Sequence, residues 1–155
     1  MPQTARNALI DDTSKAIIEQ LQADGRRSYA EIGRGIGLSE AAVRQRVQRL
    51  TDSGAMQIVA VTDPLQLGFA RQAMIGIKVS GDIGVVADAL AELPSVSYVV
   101  MTAGSFDLLV EVVCTSDDEL LGILNDDIRG LAGVAFTETF VYLKLHKQLY
   151  DWGTR

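Results

Sequence analysis

The chain has one cysteine and one histidine in 155 residues. Cys114 on its own forms no intramolecular disulfide and no cysteine-based zinc site. With His146 as the single imidazole, His-His and His-Cys metal sites are excluded, and so are catalytic arrangements that need a second such group. No nucleophile–base pair or metal-ligand cluster is visible, so an enzyme is not expected. No stretch approaches the roughly 18 uncharged apolar residues of a spanning helix. The opening, MPQTARNALIDD, has no apolar run before its acidic pair, so it does not read as a secretory signal. The expected compartment is a reducing cytoplasm, with no membrane partner. Apolar residues at 48% and charged residues at 22% exclude disorder and suit one or two small domains.

The net charge of −6 argues against a nucleic-acid partner until the chain is divided. Residues 1–60 carry eight basic residues against seven acidic ones, whereas 61–155 carry six against thirteen. Between 26 and 49, six arginines (Arg26, Arg27, Arg34, Arg44, Arg46, Arg49) face only Glu31 and Glu40. Such asymmetry suggests a basic binding head on an acidic body.

The head, 1–55, reads as three short helices. The first starts at a cap on Asp11 or Asp12, buries Ile17, Ile18 and Leu21, and ends at Asp24-Gly25. The second opens with a capping box, Ser28 to Glu31, turns Ile32 and Ile36 inward and stops at Gly37. The third is capped by Ser39, buries Val43, Val47 and Leu50, and ends at Ser53-Gly54. Helices two and three are separated only by Gly37-Leu38-Ser39, the helix-turn-helix spacing. The alternative is a plain three-helix bundle. Charge favours the former: opposite the buried stripe lie Ala41, Ala42, Gln45, Gln48 and Arg49, flanked by Arg44 and Arg46. Small residues let a helix sit deep in a major groove, and Gln and Arg pair bidentately with adenine and guanine edges. Arg26, Arg27 and Ser28 are placed for the phosphate backbone, and Ser39 at the start of the third helix is a further DNA-binding candidate. Gly33-x-Gly35-x-Gly37 follows no strand and has the wrong spacing for a nucleotide loop.

Residues 56–70 read as a strand, Met56–Thr62, closed by Asp63-Pro64, then a linker to Gly68. A strand after a helix-turn-helix suggests a winged variant or a connector. The remainder, 71–155, reads β-α-β-β-α-β: strands at about 72–79, 96–102, 106–115 and 134–145, with helices at about 83–93 and from a capping box at Ser116 to about Leu131. This ferredoxin-like order puts both helices on one face of a four-stranded sheet. The fold class is α+β, a winged helix-turn-helix followed by a ferredoxin-like domain. The strands are apolar on both sides, so the open face needs a cover. A second subunit is the economical one, and the alternative is the head or the tail folding over it. Cys114 reads as a buried hydrophobe, His146 as a surface residue and Trp152 as a packing anchor.

The polar turn between the second and third strands interrupts the apolar pattern. Thr102, Ala103 and Gly104 can offer backbone groups to a ligand carboxylate, because glycine permits close approach. Asp107 can orient an ammonium group or simply stabilise the turn. Thr137 and Glu138 in the last strand are weaker candidates.

Together these residues resemble the Lrp/AsnC family of bacterial and archaeal transcription regulators, over about 9–146. The resemblance rests on Ile10, Asp11, Ile17, Ile18 and Leu21, on Asp24-Gly25-Arg26, and on Gly37-Leu38-Ser39. Val43, Arg46, Val47, Leu50 and Gly54 follow, then Asp63-Pro64, Leu67-Gly68 and Gly104-Ser105-Phe106-Asp107. Ser14, Thr51 and Ala55-Met56 depart from the family pattern. The resemblance implies sequence-specific binding to a pseudo-palindromic operator in double-stranded DNA. It implies a homodimer through the C-terminal (RAM/ACT-like) sheets, often assembled to octamers. It also implies no cofactor but an amino acid or related metabolite as effector, bound around Thr102, Ala103, Gly104, Ser105, Phe106 and Asp107. The alternative is a constitutive architectural DNA-binding protein without an effector.

Overall fold

The computed structural model describes residues 10–155; residues 1–9, with most of the N-terminal stretch assessed as a signal, lie outside the described residues. The chain divides into two units. One is the head up to Val61 together with the tail 147–155, and the other spans Thr62–His146.

In the head, α1 is Asp12–Ala23, α2 Tyr29–Ile36 and α3 Glu40–Asp52. Asp11, not Asp12, caps α1, accepting from the Ser14 N–H at 2.8 Å. The capping box of α2 is reciprocal: Glu31 N–H donates to Ser28 Oγ at 3.2 Å, and Ser28 N–H donates to Glu31 Oε2 at 3.1 Å. Gly37, at φ 74°, takes the left-handed conformation that stops α2. Ser39 then caps α3 through the Ala42 N–H. Gly33 lets the turn close, because a Cβ there would lie 2.4 Å from the Leu38 carbonyl oxygen. Ile17, Leu21, Ile32, Val43 and Val47 form the core of the head, with Tyr29, Ile36, Leu38 and Met56 packed around it.

Met56–Thr62 is not a strand and carries no regular structure. A strand needs a neighbour for its N–H and C=O groups. All strands among the described residues belong to one sheet, and 57–62 pair with none of them. The head therefore has no wing strand among the described residues. Asp63 instead caps a short 3₁₀ turn, Pro64–Leu67, through the Leu65 N–H.

In the second unit, β1 is Arg71–Val79, α4 Ile83–Ala91, β2 Val96–Met101, β3 Leu108–Cys114, α5 Asp117–Gly122 and β4 Val134–Val141. The sheet is antiparallel in the order β2-β3-β1-β4. Along β3, Leu108, Val110, Val112 and Cys114 are buried and the residues between them are not. They meet Ala73, Ile75 and Ile77 of β1, and Val86, Ala87 and Leu90 of α4. The last helix is shorter than expected. It gives way to a wider π-type turn over Ile123–Ile128, which brings Ile123 into the core beside Leu120 and Ile128. Its capping box is only half made: Ser116 accepts from Glu119 N–H, but the Glu119 carboxylate turns to Thr115.

β4 ends at Val141 rather than Leu145. Tyr142 N–H still bonds the Gln72 carbonyl, but β1 begins at Arg71, so the chain runs out of neighbour. Leu143 is consequently 96% exposed. Trp152 is also exposed, edge-on to Tyr150, and anchors no core. A register shift between Val96 and Tyr98 puts Val96 and Val99 together on the helix side and leaves Tyr98 exposed. The open face holds Met74, Leu109, Phe136 and Phe140, but it is not purely apolar. Glu111 of β3 accepts from Gln72 Nε2 at 3.1 Å and from the Tyr142 hydroxyl at 2.9 Å, with the Ser97 hydroxyl 3.3 Å away. Burial first, then that carboxylate, pushes the Tyr142 hydroxyl up to about 12.

Candidate functional site

The basic face of the head is built on α3, which Val43, Val47 and Leu50 fasten to the core. The same 3.6-residue period turns Ala41, Arg44, Gln45, Gln48 and Arg49 outward, all exposed, with Ala42 partly so. Their side chains are held in different ways. Among the described residues Gln45 has no side-chain partner, and Arg49 makes only a long 3.4 Å contact to the Gln45 carbonyl. Gln48 donates to Asp52 at 2.7 Å. Arg44 donates from Nη2 to Glu40 at 2.7 Å, and its guanidinium lies over the Tyr29 ring, 5.3 Å from the centroid.

Arg46 does not join this face. Its Nη1 bonds both oxygens of Asp11, at 2.9 and 2.8 Å, and reaches Ser14 Oγ at 3.3 Å, tying α3 to the start of α1. The Ser14 N–H first, then the Ser14 hydroxyl and Arg46, hold the Asp11 carboxyl down at about 2. Arg27 leans on Gln20 at 3.2 Å, and Arg26 is exposed. Ser28 and Ser39 spend their hydroxyls on capping, and the Ser28 hydroxyl lowers the Glu31 carboxyl.

The turn Thr102–Asp107 is closed by its own bonds. Thr102 N–H donates to the Asp107 carbonyl at 2.9 Å, and its hydroxyl to the Phe106 carbonyl at 2.6 Å. Both carboxylate oxygens of Asp107 are engaged, one by Val79 N–H at 2.9 Å and the other by Lys78 Nζ at 3.3 Å. The Val79 N–H first, then Lys78, hold this carboxyl below its usual range. Ala103, Gly104 and Ser105 are exposed, and a Cβ on Gly104 would meet nothing within 4 Å. Phe106 lies across Gly76, where a Cβ would come within 2.6 Å of the ring, and meets Phe140 edge-on. Thr137 is tied to Arg129 at 2.9 Å, and Glu138, one residue on, points to the opposite face of β4. The two are therefore not brought to the turn together.

Sequence reasoning missed Tyr29, Lys78, Glu111 and Asp11's bond to Arg46. A lone Glu or Lys in an apolar strand was the available signal for two of them. Among the described residues no group of three His, Cys, Asp or Glu side chains is placed to hold a metal ion. No described helix is long and apolar enough to cross a membrane.

An AsnC-type helix-turn-helix domain matches residues 10–51, and a C-terminal dimeric alpha+beta barrel domain matches 69–155. Fold and matches together define a helix-turn-helix transcriptional regulator with a C-terminal dimerisation domain, a class that binds DNA and is not enzymatic. The chain is 37% identical to the HTH-type transcriptional regulator FL11 of Pyrococcus furiosus, over 90% of this chain and 93% of that one. The leucine response regulatory protein of Mycobacterium tuberculosis has a similar structure, with a TM-score of 0.80 and 27% identity over 90% of this chain and 96% of that one. A Neisseria meningitidis transcriptional regulator solved in complex with L-Met shares the fold at a TM-score of 0.75, 23% identical over 92% and 95% of the two chains. The chain belongs to the AsnC/Lrp family of transcriptional regulators.

Proposed function

We propose that this regulator reads double-stranded DNA with the outer face of α3 and that an amino acid or related metabolite modulates it through the sheet domain. The observation that carries the first half is the set of outward donors on α3. Among the described residues Gln45 and Arg49 are unengaged or nearly so, and Arg44 keeps most of its fork open. Ala41 and Ala42 leave the N-terminal end of this face slim enough for a major groove. Arg26 and Arg27 suit the phosphates beside it. As a dimer, the protein presents two heads to a pseudo-palindromic site with half-sites about one helical turn apart. It acts where the DNA is, in the cytoplasm.

The second half is supported by the Thr102–Asp107 turn, whose exposed Ala103, Gly104 and Ser105 leave backbone groups open to a carboxylate. Asp107 holds the turn through Val79 N–H and Lys78 Nζ, and the half-exposed Lys78 ammonium keeps donors for a ligand carboxylate. That the same fold occurs in a complex with L-Met adds to this reading. Higher assembly, to octamers, gives the ligand a state to favour. Such coupling typically amounts to about 1–3 kcal/mol and acts equally on both ligands.

Gel shifts test the first half, with a duplex enriched from a random-sequence pool and an unselected one. Gln45→Ala is expected to cost roughly 1–3 kcal/mol on the enriched duplex only, and Arg27→Ala to weaken both alike. Unchanged binding in both variants would refute the placement. Calorimetry with a panel of amino acids tests the second, on wild type, Asp107→Ala and Gly104→Val. Equal binding by all three moves the site elsewhere; no binding by wild type leaves a constitutive DNA-binding protein.

A further inference from the structure

Arg44 is held by two residues, one on α2 and one on its own helix. Its guanidinium lies over the ring of Tyr29, the first residue of α2, 5.3 Å from the centroid. Glu40, one helical turn earlier on α3, takes a single donor, Nη2, at 2.7 Å. The remaining donors of the fork have no partner among the described residues, and the side chain is 63% exposed. A long arginine side chain loses rotamer freedom when it binds, and one already held over an aromatic face loses less. An exposed ion pair is weak and yields to a competing anion. Tyr29 is only partly buried at the edge of the head core, so its ring face is available to the guanidinium.

We propose that Tyr29 is a positioning residue for DNA binding: its ring orients Arg44, and Glu40 parks that arginine until a nucleic-acid acceptor replaces the carboxylate. The proposal rests on the placement of α3 against DNA given above. In the bound state Arg44 keeps its stack on Tyr29 and turns its open donors to a phosphate or a guanine edge. The pair on Glu40 then restrains binding in the free protein, and it does so on any sequence.

The test measures duplex affinity for wild type, Tyr29→Leu, Tyr29→Phe, Arg44→Ala, Glu40→Gln and the double variant Tyr29→Leu/Arg44→Ala. The probes are the duplex enriched by the wild-type protein from a random-sequence pool and an unselected duplex. Tyr29→Leu keeps apolar bulk against the core and removes the aromatic face, and circular dichroism verifies that each variant is folded. Tyr29→Leu is expected to weaken binding about 2- to 5-fold, with Tyr29→Phe near wild type, because the stack uses the ring and not the hydroxyl. In the Arg44→Ala background, Tyr29→Leu should then cost nothing further. Glu40→Gln should tighten binding to both duplexes about twofold, the worth of an i,i+4 pair.

An equal loss from Tyr29→Leu with and without Arg44 would show a merely structural ring and overturn the proposal. So would a Tyr29→Phe variant as weak as Tyr29→Leu, or a Glu40→Gln variant that binds less tightly. If Gln45→Ala weakens binding while Arg44→Ala does not, the proposal falls and the DNA-facing role of α3 stands. If neither matters, both fall.

Discussion

Arg44 and Arg46 lie two positions apart on α3 and are committed to different work. Arg46 is spent on Asp11, 35 residues earlier, and fastens the reading helix to α1. Asp11 serves at once as cap of α1 and as counter-ion to Arg46 on α3. Its carboxyl sits at about 2 against an ordinary 3.8. A carboxyl whose value is lower in the folded state stabilises the fold above its ordinary value and ceases to as pH falls through the folded one. The wild-type melting temperature should therefore drop between about pH 4 and pH 2. Glu31, Asp107, Asp117 and Glu119 are also lowered and contribute to the same slope. The difference between wild type and Asp11→Asn isolates the Asp11 part. The variant should melt lower at pH 7, and the gap should close as the pH approaches 2. A gap independent of pH would mean that Asp11 acts through its hydrogen-bonding shape and not its charge.

At the level of elements, the turn between α2 and α3 sets where the reading face points. The two glycines of α2 have opposite consequences. A Cβ at Gly33 would lie 2.4 Å from the Leu38 carbonyl oxygen, a backbone atom that cannot swing away. At Gly35 it would meet the Gln20 side chain at an ordinary 3.6 Å. Gly33→Ala is expected to destabilise the head by about 1–3 kcal/mol, the cost of overpacking. Gly35→Ala should stabilise it by about 0.4–1 kcal/mol, since alanine gives up less freedom on entering a helix. Urea unfolding followed by circular dichroism separates the two. If both substitutions shift the midpoint in the same direction, close packing of α2 on the turn is not what requires glycine at 33.

For the whole molecule, the unanswered need is on the open face of the sheet. Phe136 and Phe140 are exposed there beside half-buried Met74 and Leu109, an apolar surface that a lone domain leaves in water. The dimeric domain matched over 69–155 makes a second copy the expected cover. The Glu111 carboxylate with its Gln72, Tyr142 and Ser97 donors tolerates that cover, because its oxygens are already engaged. Phe140→Asp puts an unpaired charge on this face and should shift the protein toward monomer in sedimentation at micromolar concentration. A dimer as stable as the wild type would place the interface on another surface.

Much of this was legible along the chain, and the boundary is a physical one. The caps at Ser28 and Ser39, a first cap narrowed to Asp11 or Asp12, the stops at Gly37 and Gly54, and the buried stripe of α3 involve partners within about one helical turn. A sequence read in windows of that size contains them. The strand order β-α-β-β-α-β follows from alternation and turns in the same way. The folded chain alone decided matters that depend on partners far apart in sequence. Met56–Thr62 has the composition of a strand but no neighbour to pair with, and β4 stops where β1 has no further residues to bond. The bulge at Ser97 moved Val96 to the same side as Val99, against simple alternation. On a helical wheel Arg46 flanks the outer face of α3; that it pairs with Asp11, 35 residues away, is visible only in the folded chain. Local bonds are written in neighbouring residues, whereas ladders and long-range ion pairs require two segments to meet, and only the packed chain determines which do.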